Sequence, residues 1–404
     1  MKLSEELSWR GFVNQTTIKD LRELDDKTIS FYWGVDPSAD SMQIGNLASA
    51  MMVRHFMIHG HKAYLLIGGA TGIIGDPDGK SDERKLKSLD EVANNKAKIA
   101  SEYGKVFEGQ NFMLVDNYDW FKDVKVIDFL REVGKNTSLT QMLSREFVQS
   151  RIGEGGKGIS YAEFSYSLMQ GYDFLHLFRE YNVTLQLCGA DQWGNSIAGV
   201  DLIRRLENKE AHVYSTPLVV NKSTGVKFGK SEDGAIWLDE SKTSVYKFYQ
   251  FWLNTDDAGV VDYLKIYTLL SKEEIERLEQ EVKQNPSARA AQRALAHEVT
   301  QLVHGVDRTA SVEKVTEVLF EEGDVSKLNE DDLQILSNEI PTTNSGKSLI
   351  ETMVETGLAA SNGDAKRLIR SGAVSINSDK ATDDISLDGI YLIKKGKNSF
   401  ALVK

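Results

Sequence analysis

The chain of 404 residues contains one cysteine, Cys188. An intrachain disulfide is therefore excluded, and a reducing, cytoplasmic setting is expected. No apolar run approaches the roughly 20 residues needed to cross a bilayer, so no membrane association is expected. The first residues, "MKLSEELSWRGFVNQTT", mix in acidic groups and have no apolar core, unlike a secretory leader. The seven histidines are scattered, no His/Cys group has metal-ligand spacing, and no Gly-x-Ser-x-Gly elbow occurs. No metal site is expected. Positive charge is outnumbered: 48 Lys/Arg against 60 Asp/Glu give a net charge of −12, which argues against a protein that coats nucleic acid non-specifically. The last sixty residues run against this trend, with nine Lys/Arg and seven Asp/Glu, a balance that suits local RNA contact or an ordinary solvated surface equally.

What the sequence does contain is strand–helix alternation up to about Val220. "TISFYWGV", "KAYLLIGG" and "VTLQLCG" read as buried strands, each leading into a loop and helix. This pattern predicts a doubly wound, Rossmann-like α/β domain over 1–220, with ligands beyond the carboxyl ends of its strands. Residues 241–325 read as helical. Ser271 and Glu274 form a capping box there, and Pro286 opens a segment that closes at Gly305. The polar stretch 326–347 is expected to be a linker. Residues 348–404 read as a small α+β module.

Four constellations carry possible chemistry. "WGVDPSADSMQIGNL" predicts a strand, a Pro-containing loop and a helix opening at Gly45, with Ile44, Leu47, Met51, Met52 and Ile58 on its apolar face and Gly60 at its close. A helix start beyond a strand is an anion site, yet its flanking residues Gln43 and Asn46 are neutral. "VKFGKSEDG", within 221–240, sets Lys227 and Lys230 around a glycine, as a mobile loop closing on polyphosphate or a plain surface hairpin would. "IGGATGIIGDPDGKSDERK" offers Gly68, Gly69, Gly72 and Gly75 for close backbone approach to a ligand, with Asp76, Lys80 and Arg84 following. In "FSYSLMQGYDF", Tyr166, Gln170 and Asp173 fall at i, i+4 and i+7 on one helix face, which suggests a pocket or a set of satisfied core polar groups.

In this order, and with "GADQWGN" and "YKFYQFWLNTDD" between and after them, these motifs resemble bacterial-type tyrosyl-tRNA synthetase, a class I aminoacyl-tRNA synthetase. The resemblance covers essentially the whole chain. It implies ATP and L-tyrosine as substrates, magnesium arriving with ATP, no tightly bound cofactor, tRNA(Tyr) as acceptor and a homodimer. It makes 241–325 an anticodon-arm domain and 348–404 an S4-like RNA-binding domain. By the same resemblance Tyr32 and Asp173 hydrogen-bond the substrate phenol. Asp76, Tyr166 and Gln170 hold its ammonium, and Gln192 lies near its carboxylate. Gly34, Asp36, Ser38, Gly45, Gly189, Asp191 and Ser231 serve the nucleotide. Lys227, Lys230, Lys80 and Arg84 bear on the pyrophosphate, so the charge missing at Gln43 and Asn46 arrives from elsewhere. Lys366, Arg367, Arg370, Lys394, Lys395 and Lys397 face tRNA phosphates.

Two departures stand out. Gln43 and Asn46 replace the family's usual histidine pair; their amide N–H groups could donate as a neutral imidazole does, without its pH dependence. Trp33 stands where a small residue near the ribose is usual, and is expected to crowd the nucleotide or stack beside it. A catalytically silent RNA-binding paralogue is the alternative, and the altered pair is its one support.

Overall fold

Strands rich in β-branched and aromatic residues, buried on both faces, build the centre of the first unit. A computed structural model of the chain describes residues 1–77, 86–226, 228–231, 234–321 and 323–404, with backbone alone at 146, 147, 230 and 231. Among these, six strands form one sheet: β1 (Gln15–Thr16), β2 (Ser30–Val35), β3 (Lys62–Ile67), β4 (Phe112–Asp116), β5 (Leu185–Gly189) and β6 (His212–Thr216). Their order is β1-β6-β5-β2-β3-β4, with β2 to β6 parallel and β1 antiparallel to β6. The order reverses between β2 and β5, the switch point at which such sheets open a crevice at their carboxyl edge.

Helices of the same unit include α1 (Leu3–Arg10), α2 (Ile44–Ile58), α3 (Leu89–Val106), α4 (Tyr161–Tyr181) and α5 (Trp193–Glu207). Helix α2 buries Leu47, Met51, Met52, Val53 and Phe56 completely, each contributing about 1.5–3 kcal/mol of apolar burial. Ile58, expected on that face, is exposed instead, because it is the last helical residue and the chain turns away through Gly60 at φ +84°. Helix α3 starts at Ser88, whose hydroxyl accepts from Glu91 N at 3.1 Å. Helix α4 starts at Ser160 in a capping box with Glu163 and ends at left-handed Asn182. It packs on α5 through glycine: a Cβ at Gly199 would lie 2.8 Å from the Phe174 side chain. Further on, Ser271 caps Lys272–Gln284 as its spacing predicts, and a second helix spans Ala290–His304. A short hairpin, β7 (Lys230–Ser231) and β8 (Gly234–Ala235), precedes them.

The chain divides into two units, residues 1–243 with 251–303, and residues 244–250 with 304–404. The expected helical region 241–325 is thus split between them. In the second unit, α6 (Val306–Phe320) and α7 (Glu330–Glu339) precede a five-stranded sheet. Its strands are β9 (Thr342–Thr343), β10 (Val374–Ile376), β11 (Asp379–Lys380), β12 (Tyr391–Lys395) and β13 (Ser399–Val403), in the order β11-β10-β12-β13-β9. The expected linker 326–347 is corrected here. It holds α7, capped by Asn329 accepting from Asp332 N at 2.8 Å, and Leu336 enters a core with Val315, Leu319, Leu392 and Leu402. A separate core joins Leu349 and Met353 to α8 (Asn362–Arg370) and to Ile393 and Val403.

Candidate active site

Parity along β2 decides which side chains reach the crevice. Tyr32 points to the α4 side, where its ring meets Phe174 at 5.2 Å. Trp33 points the other way and packs against Tyr103 (5.5 Å) and Phe107 (6.2 Å) of the α3 region, 3 % exposed. The expectation that Trp33 would crowd or stack on a nucleotide is therefore corrected: its ring is a core element on the opposite sheet face.

On α4, Tyr166, Gln170 and Asp173 do share a face. The Asp173 carboxylate is buried and accepts from Asn117 Nδ2 (3.0 Å) and Trp120 Nε1 (2.9 Å). Burial pushes its pKa well above the usual carboxylate range, against the pull of those two donors. The Tyr32 hydroxyl is fully buried with no hydrogen-bond partner among the described residues, and burial followed by the Asp173 charge raises its pKa, so it stays a neutral donor. The Gln170 Oε1 atom is likewise unpartnered there.

A continuous hydrogen-bond chain runs from this end of the crevice to the other. Asn117 Nδ2 also donates to the Thr71 hydroxyl (2.9 Å), Thr71 donates to Asp36 Oδ1 (2.6 Å), and Tyr166 donates to Asp36 Oδ2 (2.7 Å). Burial raises the Tyr166 pKa, with the charges of Asp36 and Asp76 adding to it. Two carboxylates beside a buried hydroxyl suit an ammonium group. Asp36, expected at the nucleotide, is thus held by protein partners on the Asp173 side of the crevice. Asp76 accepts from Gln192 Nε2 (2.6 Å), and Gln192 Oε1 accepts from Asn195 Nδ2 (3.2 Å), so these two expected residues do meet. Gly68 also takes a different role from the one expected. A Cβ there would lie 2.0 Å from Asp36 Oδ1 and 2.2 Å from Thr71 Oγ1, so the glycine makes room for this network.

The start of α2 faces the same edge. Gln43 and Asn46 are half-buried, and Gly34, Ser38 and Gly45 are exposed. Asn46 Oδ1 accepts from Gln43 N at 3.0 Å. A backbone N–H can pair only with the amide oxygen, so the Asn46 NH₂ is turned away from the helix start and keeps its donors for another acceptor. The hairpin is seated on this turn: Gln43 pairs with Trp237, Ile44 N donates to Ile236 O (3.2 Å), and Ile236 N donates to Gly229 O (3.1 Å). Gly229, at φ +108°, sits so close that a Cβ would lie 2.9 Å from Ile44 Cγ1. Phe228 anchors the same segment by stacking on Tyr263 at 4.1 Å. At the end of β5, the Asp191 carboxylate covers Gly189, whose Cβ would lie 2.6 Å from Oδ1.

Lys80, Arg84 and Lys227 lie outside the described residues, and Lys230 and Ser231 are described by backbone alone. In the second unit, Lys366 and Arg370 are exposed one turn apart on α8, and Lys397 is exposed in a turn. Arg367 pairs with Asp364 at 2.6 Å. Adjacent on β12, Lys394 and Lys395 point to opposite faces: Lys394 donates to Leu319 O (3.3 Å) and lies over Phe400, while Lys395 donates to Leu358 O (2.5 Å). One surface cannot use both.

Comparison with known proteins gives these features a family. Residues 24–321 match the model for class I tRNA synthetases (W and Y), and residues 332–403 match the tyrosine–tRNA ligase SYY-like C-terminal domain. The chain is 44 % identical over 422 residues to tyrosine–tRNA ligase 2 of Bacillus cereus, covering all of both chains. The chain belongs to the class I tyrosine–tRNA ligases. The Geobacillus kaustophilus tyrosine–tRNA ligase is 43 % identical over 421 residues, again across both full lengths. Among solved structures, a C-terminally truncated mitochondrial tyrosyl-tRNA synthetase from Aspergillus nidulans superposes with a TM-score of 0.69 at 30 % identity, over 77 % of this chain and 92 % of that one. Within this tyrosine–tRNA ligase fold, sequence reasoning missed Thr71, Asn117 and Trp120, which organise Asp173 and Asp36. Their one signal was position: Asn117 directly follows β4 at the carboxyl edge.

Proposed function

We propose that the chain activates L-tyrosine with ATP and then transfers the tyrosyl group to the 3′-terminal adenosine of tRNA(Tyr). The observation that carries this reading is the buried Asp173 carboxylate beside the unpaired Tyr32 hydroxyl, joined to Asp36 and Tyr166 at the ammonium end of the same crevice. A phenol that donates to Asp173 and accepts from Tyr32 satisfies both groups, whereas phenylalanine would leave them unpaired, which is costly. Such rejection within this enzyme family is a standard illustration of specificity through buried polar groups.

The tyrosine carboxylate attacks the α-phosphorus of magnesium-bound ATP, forming the carboxyl–phosphate bond as the bridging oxygen leaves with pyrophosphate. An adenosine hydroxyl of the tRNA then attacks the acyl carbon, and AMP leaves. The side chains at the crevice act by positioning and by electrostatics. Asp36, Asp76, Tyr166 and Gln170 hold the ammonium. Gln192, tied to Asp76, sits by the carboxylate. The Asn46 amide donates to ATP phosphate oxygens from the helix start, and Gln43 beside it does the same. Gly34, Ser38, Gly45, Gly189, Asp191 and Ser231 shape the nucleotide site. Lys227, Lys230, Lys80 and Arg84 supply positive charge as negative charge grows on the leaving pyrophosphate. Lys366, Arg370 and Lys397 contact tRNA phosphates.

The partner of a homodimer covers the exposed apolar stretch Met113, Leu114, Val126, Ile127 and Leu130, which includes edge strand β4. A cytoplasmic setting fits a lone cysteine whose thiol burial pushes up to about 12. The test is tyrosine-dependent ATP–pyrophosphate exchange followed by charging of tRNA(Tyr). Equal exchange with phenylalanine, or no exchange with either, would overturn the reading.

A further inference from the structure

Helix α3 belongs to none of the four constellations, yet one of its faces holds two of them in register. Asn95, Lys98 and Glu102 fall at i, i+3 and i+7, which places them in a single row. All three reach the irregular segment 37–42 that delivers Gln43 to the start of α2. Asn95 Nδ2 donates to Pro37 O (3.0 Å), and Lys98 pairs with Asp40 (2.7 Å). Glu102, 8 % exposed, accepts from the Ser41 hydroxyl (2.5 Å) and from Met42 N (2.8 Å).

The same row reaches the segment that leaves the Lys230 hairpin. Glu102 Oε1 lies closer to the Ser41 hydroxyl (2.5 Å) than Met42 O does (3.1 Å), so the hydroxyl turns its single proton toward Glu102. Its lone pairs are thereby presented to Asp239 N, which donates to Ser41 Oγ at 3.0 Å. Leu238 N donates to Met42 O (2.9 Å), Lys242 pairs with Asp40 (2.6 Å), and Lys98 lies 3.7 Å from Asp239. Two segments far apart in sequence, one ending at Gln43 and the other beginning at Ile236, are thus fixed to one buried carboxylate through a serine.

We infer that Glu102 is a positioning residue for adenylate formation, locking the segment before Gln43 and the base of the Lys230 hairpin into a single register. The inference rests on the proposed function for its catalytic consequence, but the locking itself is a property of the free protein. Glu102 touches no substrate; it acts through Ser41 and Met42.

Three variants separate the possibilities. Glu102→Met keeps the volume and removes both acceptors. Glu102→Gln still accepts from Met42 N but must donate to Ser41, which reverses the hydroxyl. Ser41→Ala leaves Met42 paired and cuts the relay to Asp239. Pre-steady-state adenylate formation should fall at least about tenfold in Glu102→Met, since sub-ångström placement of reacting groups carries effects of that size. It should recover to within about threefold of the parent in Glu102→Gln, with Ser41→Ala between the two. Tyrosine affinity should stay within about twofold in all three, because the amino-acid end of the crevice is untouched. Hydrogen exchange at the amides of Asp239 and Met42 should quicken in Glu102→Met, and at Asp239 alone in Ser41→Ala. Parent-like adenylate formation in a folded Glu102→Met or in Ser41→Ala would overturn the inference. So would unchanged exchange at Asp239, or a loss of tyrosine affinity equal to the loss of rate. If Glu102→Met fails to fold, the Ser41→Ala comparison decides. A parent without tyrosine-dependent exchange would count against the proposed function, while amide exchange would still decide the locking.

Discussion

Replacing Tyr32 with phenylalanine removes one oxygen atom, and the structure predicts effects of opposite sign on stability and on recognition. The Tyr32 hydroxyl is buried without a hydrogen-bond partner among the described residues. An unpaired buried polar group costs about 1–3 kcal/mol. Taking the low end, Tyr32→Phe should stabilise the free protein by about 1 kcal/mol, roughly a 2 °C rise in melting temperature for a domain of this size. With tyrosine bound, the same hydroxyl gains a partner, so the variant loses one hydrogen bond, about 0.5–1.5 kcal/mol. The ratio of kcat/KM for tyrosine over phenylalanine should then fall about two- to tenfold. Scanning calorimetry of the free protein and pyrophosphate exchange with each amino acid measure the two effects separately. A lower melting temperature together with unchanged discrimination would refute the reasoning, because Tyr32 would then be a satisfied core residue.

Asn46→Asp keeps the oxygen that accepts from Gln43 N but loses the amide donors, so adenylate formation should slow several-fold with stability retained. Asn46→Ala should slow it similarly and also cost about 1 kcal/mol for the lost cap, so chemical denaturation separates the pair. Lys366→Glu and Arg370→Glu should weaken tRNA charging, lower its salt dependence and leave pyrophosphate exchange intact. Removing the chain from Ser348 onward is a poorer test, because it strips Leu392, Phe400 and Leu402 from the core of α6 and α7. For Glu6, burial acts to raise its pKa, but His55, His59 and Arg10 outweigh it and hold the carboxyl well below its ordinary 4.5. A depressed carboxyl contributes stability above its unfolded pKa and loses it as pH falls toward the folded one. Glu6→Gln should therefore cost about 1–2 kcal/mol at pH 7 in denaturant titration, and the gap to the parent should shrink below about pH 4.5. A gap as large at pH 3 as at pH 7 would mean that the loss is one of packing.

Much of the site could be read from residue spacing, because helix periodicity is local. Tyr166, Gln170 and Asp173 share a face in any α-helix, and Ser271 with Glu274 marks a helix start wherever it occurs. What escaped the sequence depends on partners distant in the chain. The side of the sheet that Trp33 occupies follows from pleat parity, but which side carries the crevice is settled only once β2 lies between β3 and β5. The same parity separates Lys394 from Lys395. Gly68 was read as an opening for a ligand because its true neighbours, Asp36 and Thr71, converge on it only in the folded sheet. Helix α7 was hidden by its polar surface, although Asn329 with Asp332 is a capping pattern and Leu336 supplies the core contact.

The assignment of residues 244–250 to the second unit has a consequence for synthesis. Translation delivers this aromatic stretch, "SVYKFYQ", well before His304 and the rest of its unit. Phe248, fully buried in the finished protein against His304 at 4.8 Å, has no such neighbour while the ribosome is still making the intervening helices. Tyr246 packs beside a core that includes Phe400 and Leu402, so it waits until those distant residues have been made. Nascent chains that stall or terminate anywhere in that interval would display these rings to solvent, which makes them clients for chaperones and proteases. Quality control of this protein thus depends on how soon those distant residues follow.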